Sequence, residues 1–583
     1  MDTILGRGGR AAALLLALLL VVTGCTGLPT SGEVHAGKEP GAVAEELPTR
    51  FFAGAPSPGA TPEEIVTGFI EASISPLDSW EIARMYLGGE LKQSWRPEAG
   101  VIVDVADERR YTVPGADPED EEAESDRVAL TVDATAVVDE HGTYTSSSGP
   151  VEMAFRLAQR QDGEWRIVEA PDGIVIDRQS FRDVYGDHRL TYFDPTWTYL
   201  IPDVRWFPAT GNAATYIVRE LVNGAPSAWL AGSVASAFAQ DIELEQDAVP
   251  VDADQVAHVG LNAVAAGVDE TAKSRMMTQL LNSLTTAGVQ SVRLTIDGQT
   301  LPVDVEAFTT AQTRPDPRAL VLRAGEFGFL SGADMVPIEG LSPALVDMEG
   351  QIDSIAVDPS QEVAVVQQST GIVYRVTAES PDQVDAGRKG LIRPLIDPFG
   401  YVWTVPGNSP TEIISWDADL QPIAITGGFA EAATVRAWAM SRDGGRMAAL
   451  VTQGGEHFAV VASIRRDRSG KPSGVGGVMR TTELPLAGVD IAWIEDSRLG
   501  IVMSGTEGEQ RKTYVIDQQV GGPATRVEAP VATTAIEFGT QDSLARLQSS
   551  DGLLYLRRQT SWQQAGDGVS VLATQMGTPR GDD

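Results

Sequence analysis

Ile355-Ala356-Val357-Asp358-Pro359-Ser360-Gln361-Glu362-Val363-Ala364-Val365-Val366 reads as an apolar run, a turn and a second apolar run. Four later stretches repeat that plan: PLIDPFGYVWTV from Pro394, WAMSRDGGRMAALV from Trp438, WIEDSRLGIVM from Trp493 and IEFGTQDSLARL from Ile536. With Val357, Ile396, Met440, Ile494 and Phe538 as equivalents, the steps are about 39, 44, 54 and 44 residues, the period of four-stranded propeller blades. The long step holds RRDRSGKPSGVGG, Arg465 to Gly477, which reads as a polar inserted loop. A β-propeller of five or six blades over 316–575 follows. A strand at Ala319–Arg323 is expected to join the last blade, closing the ring and leaving no open sheet edge. Asp358-Pro359 and Asp397-Pro398 are turn chemistry. Trp403, Trp438 and Trp493 are expected to pack between blades rather than to form a ligand-stacking rim.

Before the propeller the periodicity changes. Thr191–Asp194, Thr198–Ile201 and Val204–Phe207 read as short strands. Ala214, Ile217, Val218 and Leu221 follow helical spacing up to the stop signal Asn223-Gly224. Ile242–Leu244 and Val256–Leu261 are strand-like, and Met277, Leu280, Leu281 and Leu284 form the core stripe of a second helix ending near Gly288. Val292–Gly298 is a strand running into a turn. Thr191-Tyr192-Phe193, Ile201-Pro202-Asp203-Val204-Arg205, Gln279-Leu280-Leu281 and Val292-Arg293-Leu294-Thr295-Ile296-Asp297-Gly298 resemble a GerMN domain, an α+β module, over 190–308. The resemblance implies binding or interaction rather than catalysis.

Upstream, Thr61-Pro62-Glu63-Glu64 opens a helix: Thr61 as N-cap, Pro62 in the first turn, Glu64 completing a capping box. A second helix is expected over Ser79–Leu87, then strands at Val101–Val105, Val128–Val138, Val151–Gln159 and Trp165–Glu169. Helices before a curved antiparallel sheet suggest an α+β cone-like (NTF2-like) domain over 61–178. The run Asp117–Glu124 reads as a solvated loop, since no Gly-centred calcium-loop spacing accompanies it. His141 sits in a turn with no evident partner and is not read as catalytic.

The N-terminus explains the single cysteine among 583 residues. Arg7 and Arg10 precede the apolar run Ala11–Val22, which as a helix spans ~18 Å, short of a ~30 Å hydrocarbon core. Residues 1–24 therefore read as a signal peptide. Val22-Thr23-Gly24-Cys25 resembles a bacterial lipobox, with Cys25 acylated at its amine and its sulfur bearing diacylglycerol. Two or three acyl chains at ~0.8 kcal/mol per buried CH₂ anchor a protein stably. Residues 25–60, rich in Gly and Pro, read as a tether, with Phe51 and Phe52 able to dock on the folded body.

Charge excludes other classes. The chain carries 44 basic against 81 acidic residues, net −37, which argues against nucleic-acid binding and against electrostatic adsorption to anionic lipid. One cysteine excludes internal disulfides and cysteine-based zinc sites, and five histidines leave little for a His-rich one. No GxSxG, HExxH or Walker-type motif occurs, so no catalytic, cofactor or metal residue is assigned and an enzyme is not expected.

The order lipobox, cone, GerMN, propeller resembles the actinobacterial LpqB lipoprotein family, and VTGFIEASISPLDSWEIARMYLGGELKQSWRP, from Val66 to Pro97, adds to it. The resemblance implies a protein on the extracytoplasmic face of the cell membrane. It further implies contact with the sensor domain of the MtrB histidine kinase of the MtrAB two-component system, and modulation of envelope and division control. The alternatives are a surface hydrolase with convergent acids in a propeller pocket, or a lipoprotein binding a wall glycan or peptide between aromatic walls.

Overall fold

The computed structural model describes residues 54–76, 79–113, 126–209, 212–311, 313–507, 510–530, 532–539, 545–558 and 561–577. The lipobox, Phe51, Phe52 and the acidic run Asp117–Glu124 lie outside them.

The capping box forms as the sequence dictates: Thr61 N donates to Glu64 Oε2 at 2.8 Å and Glu64 N to Thr61 Oγ1 at 3.3 Å. The helix Pro62–Ser73 buries Ile65, Val66, Phe69 and Ile70 against a six-stranded sheet. That sheet is antiparallel except where Gly100–Asp104 runs parallel to Ile174–Asp177. The second helix is shorter than its apolar pattern suggests, Glu81–Met85. Ser79 and Trp80 before it hold φ of 56° and 59°, an entry that lets the Trp80 indole donate to Ser73 O at 2.8 Å and cap the previous helix. Phe181, Val184 and Tyr185 complete this core.

In the next domain the three short strands of the sequence reading are two long ones. Tyr185–Phe193 and Leu200–Pro208 form a hairpin registered from Tyr185↔Pro208 to Phe193↔Leu200. Pro202 lies inside the second strand, which pairs on one side only, where a missing N–H is tolerated. The Asp194 carboxylate closes the turn, accepting from Thr198 N at 2.7 Å and Tyr199 N at 2.6 Å. The helices Ala213–Val222 and Glu270–Leu284 pack beside it, with Met277, Leu280 and Leu284 buried and Leu281 packed against the same core. Ile242–Leu244 is not a strand. Only a single bridge, Leu244↔Leu261, forms there, because Phe238 and Ile242 reach the core from a turn-rich segment.

Among the described residues the propeller has six blades. The fold departs from the five sequence repeats in its sixth blade, whose strand Val569–Leu572 pairs with Ala319–Arg323 and continues to Glu326–Ser331 and Asp334–Val336. A last strand, Thr574–Gln575, runs parallel to Ile352–Val357 of the next blade. Chain ends thus interlock in two adjacent blades. The region read as an inserted loop is a hairpin: Glu456–Arg466 and Pro472–Leu484 extend the blade itself, and the longer strands lengthen the repeat step. Trp403, Trp438 and Trp493 are buried. The last two bond to the preceding blade, Trp438 Nε1 to Arg393 O at 2.5 Å and Trp493 Nε1 to Ala439 O at 3.1 Å, while Trp403 bonds Asp397 within its own blade.

Candidate functional site at the domain junction

The strand Leu200–Pro208 is buried along almost its whole length. Its side chains belong to three different cores: Ile201 to one with the propeller residues Trp493 and Val520, Val204 and Trp206 to that of the cone, Phe207 to that of its own domain. Alternation along a strand explains how one segment faces several partners. It also puts Asp203 and Arg205 on one face. Arg205 Nη2 donates to Asp203 Oδ2 at 2.8 Å, and each side chain is 2% exposed. Asp203 additionally accepts from Ser227 N at 2.8 Å and Ser227 Oγ at 2.6 Å. Arg205 Nη1 reaches across to His141 O of the cone at 2.9 Å and Nη2 to Ala225 O at 3.0 Å. Burial works against the Arg205 charge, but the Asp203 carboxylate outweighs it and holds the guanidinium protonated.

Two sets of contacts lock this joint. Between cone and middle domain, Tyr216 Oη donates to Glu98 Oε1 at 2.7 Å and His141 Nδ1 meets Glu220 Oε2 at 3.1 Å, so His141 does have a partner. Burial raises the Glu220 carboxyl above its ordinary range, partly offset by His141 and Arg205. Gly142 lets the cone turn approach closely, since a Cβ there would sit 2.8 Å from the Phe207 ring and 2.9 Å from Trp206 O. Toward the propeller, Trp206 Nε1 donates to Gly521 O at 2.8 Å, and Ser463 Oγ donates to Trp229 O at 2.7 Å while accepting from Ser233 Oγ at 2.9 Å. Gly477 leaves room for the Trp229 backbone, which a Cβ would approach to 2.5 Å.

The joint encloses two clefts. One, of about 620 Å³, lies between cone and middle domain and is lined by Trp80, Trp95, Tyr216, Glu98, His141 and Glu220. The other, about 830 Å³, lies between cone and propeller. Between the inner strands of the propeller lies a cavity of about 20 Å³, lined by Arg393, Arg442, Trp493 and Glu537 among others. Polar groups around it are bonded: Arg393 Nη2 lies 3.0 Å from Asp490 Oδ1 behind the lining, and the Thr574 hydroxyl donates to Glu537. Glu537, pushed up by burial, is the one acid among the described residues that lines this space, which admits about one water. Among the described residues no group of three or more His, Cys, Asp or Glu could hold a metal ion.

The sequence reading placed its named site at Val22, Thr23, Gly24 and Cys25, outside the described residues. Gly54 onward is held on the cone: Tyr86 Oη donates to Gly54 O at 2.9 Å. The junction residues Asp203, Arg205 and Glu220 were not singled out as a site. The one available signal was a charged pair two residues apart in an otherwise apolar strand.

Three family models match in this order: the N-terminal domain of lipoprotein LpqB over 55–182, the sporulation and spore germination domain Germane over 189–302, and the LpqB β-propeller domain over 325–573. Relatives named "Lipoprotein LpqB" align over nearly the full length. That of Streptomyces avermitilis is 26% identical, covering 96% of this chain and 97% of its own, and that of Cutibacterium acnes is 24% identical over 96% and 98%. Among solved structures, TolB from Acinetobacter baumannii is similar with 16% identity and a TM-score of 0.32, covering 43% of this chain and 64% of its own.

Proposed function

This chain belongs to the LpqB lipoprotein family, and from that premise we propose that it is a non-enzymatic regulator anchored by acylated Cys25 on the extracytoplasmic face of the cell membrane. It docks on the extracytoplasmic sensor domain of a membrane histidine kinase of the MtrB type and modulates its signalling. The observation that carries this reading is the joint at Leu200–Pro208, which ties cone, GerMN domain and propeller together. A rigid multi-domain body held near a receptor suits surface recognition. The anchor confines it to the leaflet and raises its effective concentration there. The chain as a whole carries net −37 and is repelled by anionic lipid, so lipid rather than charge has to hold it.

The test is crosslinking and pull-down from membranes of the native host with wild type and Cys25→Ser. Enrichment of the kinase with wild type, reduced for Cys25→Ser, is expected. A wall fragment enriched without the kinase would overturn the regulator reading, and a Cys25→Ser protein that stays in the membrane fraction would overturn the anchor.

A further inference from the structure

The two clefts at the junction differ in how far their polar groups are already used. In the cone–GerMN cleft, Tyr216 bonds Glu98, His141 bonds Glu220, Arg96 pairs with Asp172, and Arg84 donates to Ser79 O and Lys92 O. In the cone–propeller groove the propeller wall is committed, with Thr481 Oγ1 donating to Ala459 O at 2.9 Å and Gln518 Nε2 to Gly522 O at 2.8 Å, while the cone wall is less so. Arg178 makes no hydrogen bond or ion pair within the described residues, and Arg182 makes one, from Nη2 to Ala524 O at 3.3 Å. The hydroxyls of Tyr144, Ser147, Ser148 and Thr525 line the groove without a protein partner among the described residues. Ser146 is spent on holding the walls together, donating to Thr481 O at 2.7 Å.

The groove has the make-up of a recognition site. Its floor is fixed, because Tyr144 packs against Phe181 and Trp206 with ring centroids 5.9 and 6.1 Å apart. Burial pushes the Tyr144 phenol up to about 12, and the charges of Arg182 and Arg178 pull the other way. On the opposite wall the Arg480 guanidinium lies over the Phe458 ring, 4.4 Å from its centroid, a flat surface of the kind that faces a ring. Three arginines and two acids, Asp183 and Glu483, line the groove; Arg480 already donates to Gln453 Oε1 at 2.5 Å and lies 3.9 Å from Glu431 Oε2, so Arg178 and Arg182 are the charges left for a ligand. A volume of about 830 Å³ is within the ~300–1,000 Å³ of small-ligand sites.

Guanidiniums call for an anion, and a row of uncommitted hydroxyls for a ligand with many hydroxyls of its own. We propose that the groove between cone and propeller binds a hydroxyl-rich anionic chain, a glycan bearing carboxylate or phosphate groups. Such a ligand would bridge the two domains that form its walls. The binding needs no kinase and is measured without one, so its failure and that of the regulator reading are separable.

The test is calorimetric titration of the purified full chain in detergent with four probes: trigalacturonate, maltotriose 6-phosphate, neutral maltotriose and inorganic phosphate. At least one anionic trisaccharide is expected to bind about tenfold or more tighter than neutral maltotriose, and the one that does identifies carboxylate or phosphate. Arg178→Ala and Arg182→Ala are each expected to weaken that binding about tenfold or more, as loss of a charge-assisted hydrogen bond does. Arg178 is exposed, so its variant folds. No binding of either anionic sugar overturns the proposal, as does neutral maltotriose binding equally well. Inorganic phosphate binding as tightly as the sugars, or variants that bind like wild type, overturn it too.

Discussion

Arg205 donates to Asp203 at 2.8 Å on the same strand, and the same guanidinium holds the main chain of His141 in the neighbouring domain. This pair is both the internal brace of the junction strand and its clasp on the cone. Removing one member of a buried pair strands the other charge, which costs about 3–5 kcal/mol. Arg205→Met is expected to lower stability by that amount in urea unfolding followed by tryptophan fluorescence. A loss below about 1 kcal/mol, the range of exposed pairs, would contradict the assignment.

Glu220 gives the joint a pH signature. Its folded-state carboxyl is raised by burial, so the protonated form is favoured in the fold. Stability from this group is fully present below the unfolded value and is lost as pH rises through the folded one. Glu220→Gln, which mimics the protonated form, is expected to be more stable than wild type at neutral pH. The advantage should shrink as pH falls toward the unfolded value near 4.5. Thermal unfolding of both proteins across that range checks it; an advantage that grows on acidification has the wrong sign.

Gly477 is required by contact rather than by conformation. A Cβ there meets the Trp229 backbone at 2.5 Å. Gly477→Ala is expected to cost about 1–3 kcal/mol, the usual price of overpacking, and to loosen the GerMN domain from the propeller. Limited proteolysis should then cut faster around 223–250. Gly267→Ala, with nothing within 4 Å, serves as the neutral control.

The closing strand Val569–Leu572 completes a blade begun by Ala319–Arg323. Deleting 569–577 opens the ring and exposes a paired edge on each side. Loss of the propeller's cooperative unfolding transition, with aggregation, is expected in calorimetry and light scattering. A deleted protein that melts like wild type would contradict ring closure.

How far the sequence led follows from what each signal depends on. The blades were legible because turn residues and alternating apolar runs recur at a fixed step, and Trp438 and Trp493 mark contacts between adjacent blades. Ring closure through Ala319–Arg323 was legible as well, and that strand pairs with Val569–Leu572; the partner strand itself lies outside the five repeats and carries no pattern of its own. The hairpin Tyr185–Phe193 and Leu200–Pro208 appears in the sequence as fragments, with Pro202 and Asp203 falling between Thr198–Ile201 and Val204–Phe207. That interruption is the junction itself: the polar face of a strand buried among three cores. The groove arginines Arg178, Arg182 and Arg480 lie some 300 residues apart at their extremes and become neighbours only through docking of cone on propeller.

The central claim is an anchored regulator acting on a kinase at the membrane. The direct measurement is autophosphorylation of the MtrB-type kinase reconstituted in liposomes, titrated with the acylated protein and with Cys25→Ser. The account predicts that the acylated form changes the rate, at a concentration about a hundredfold or more below that needed by the unanchored variant. A rate that stays constant at saturating anchored protein would contradict it.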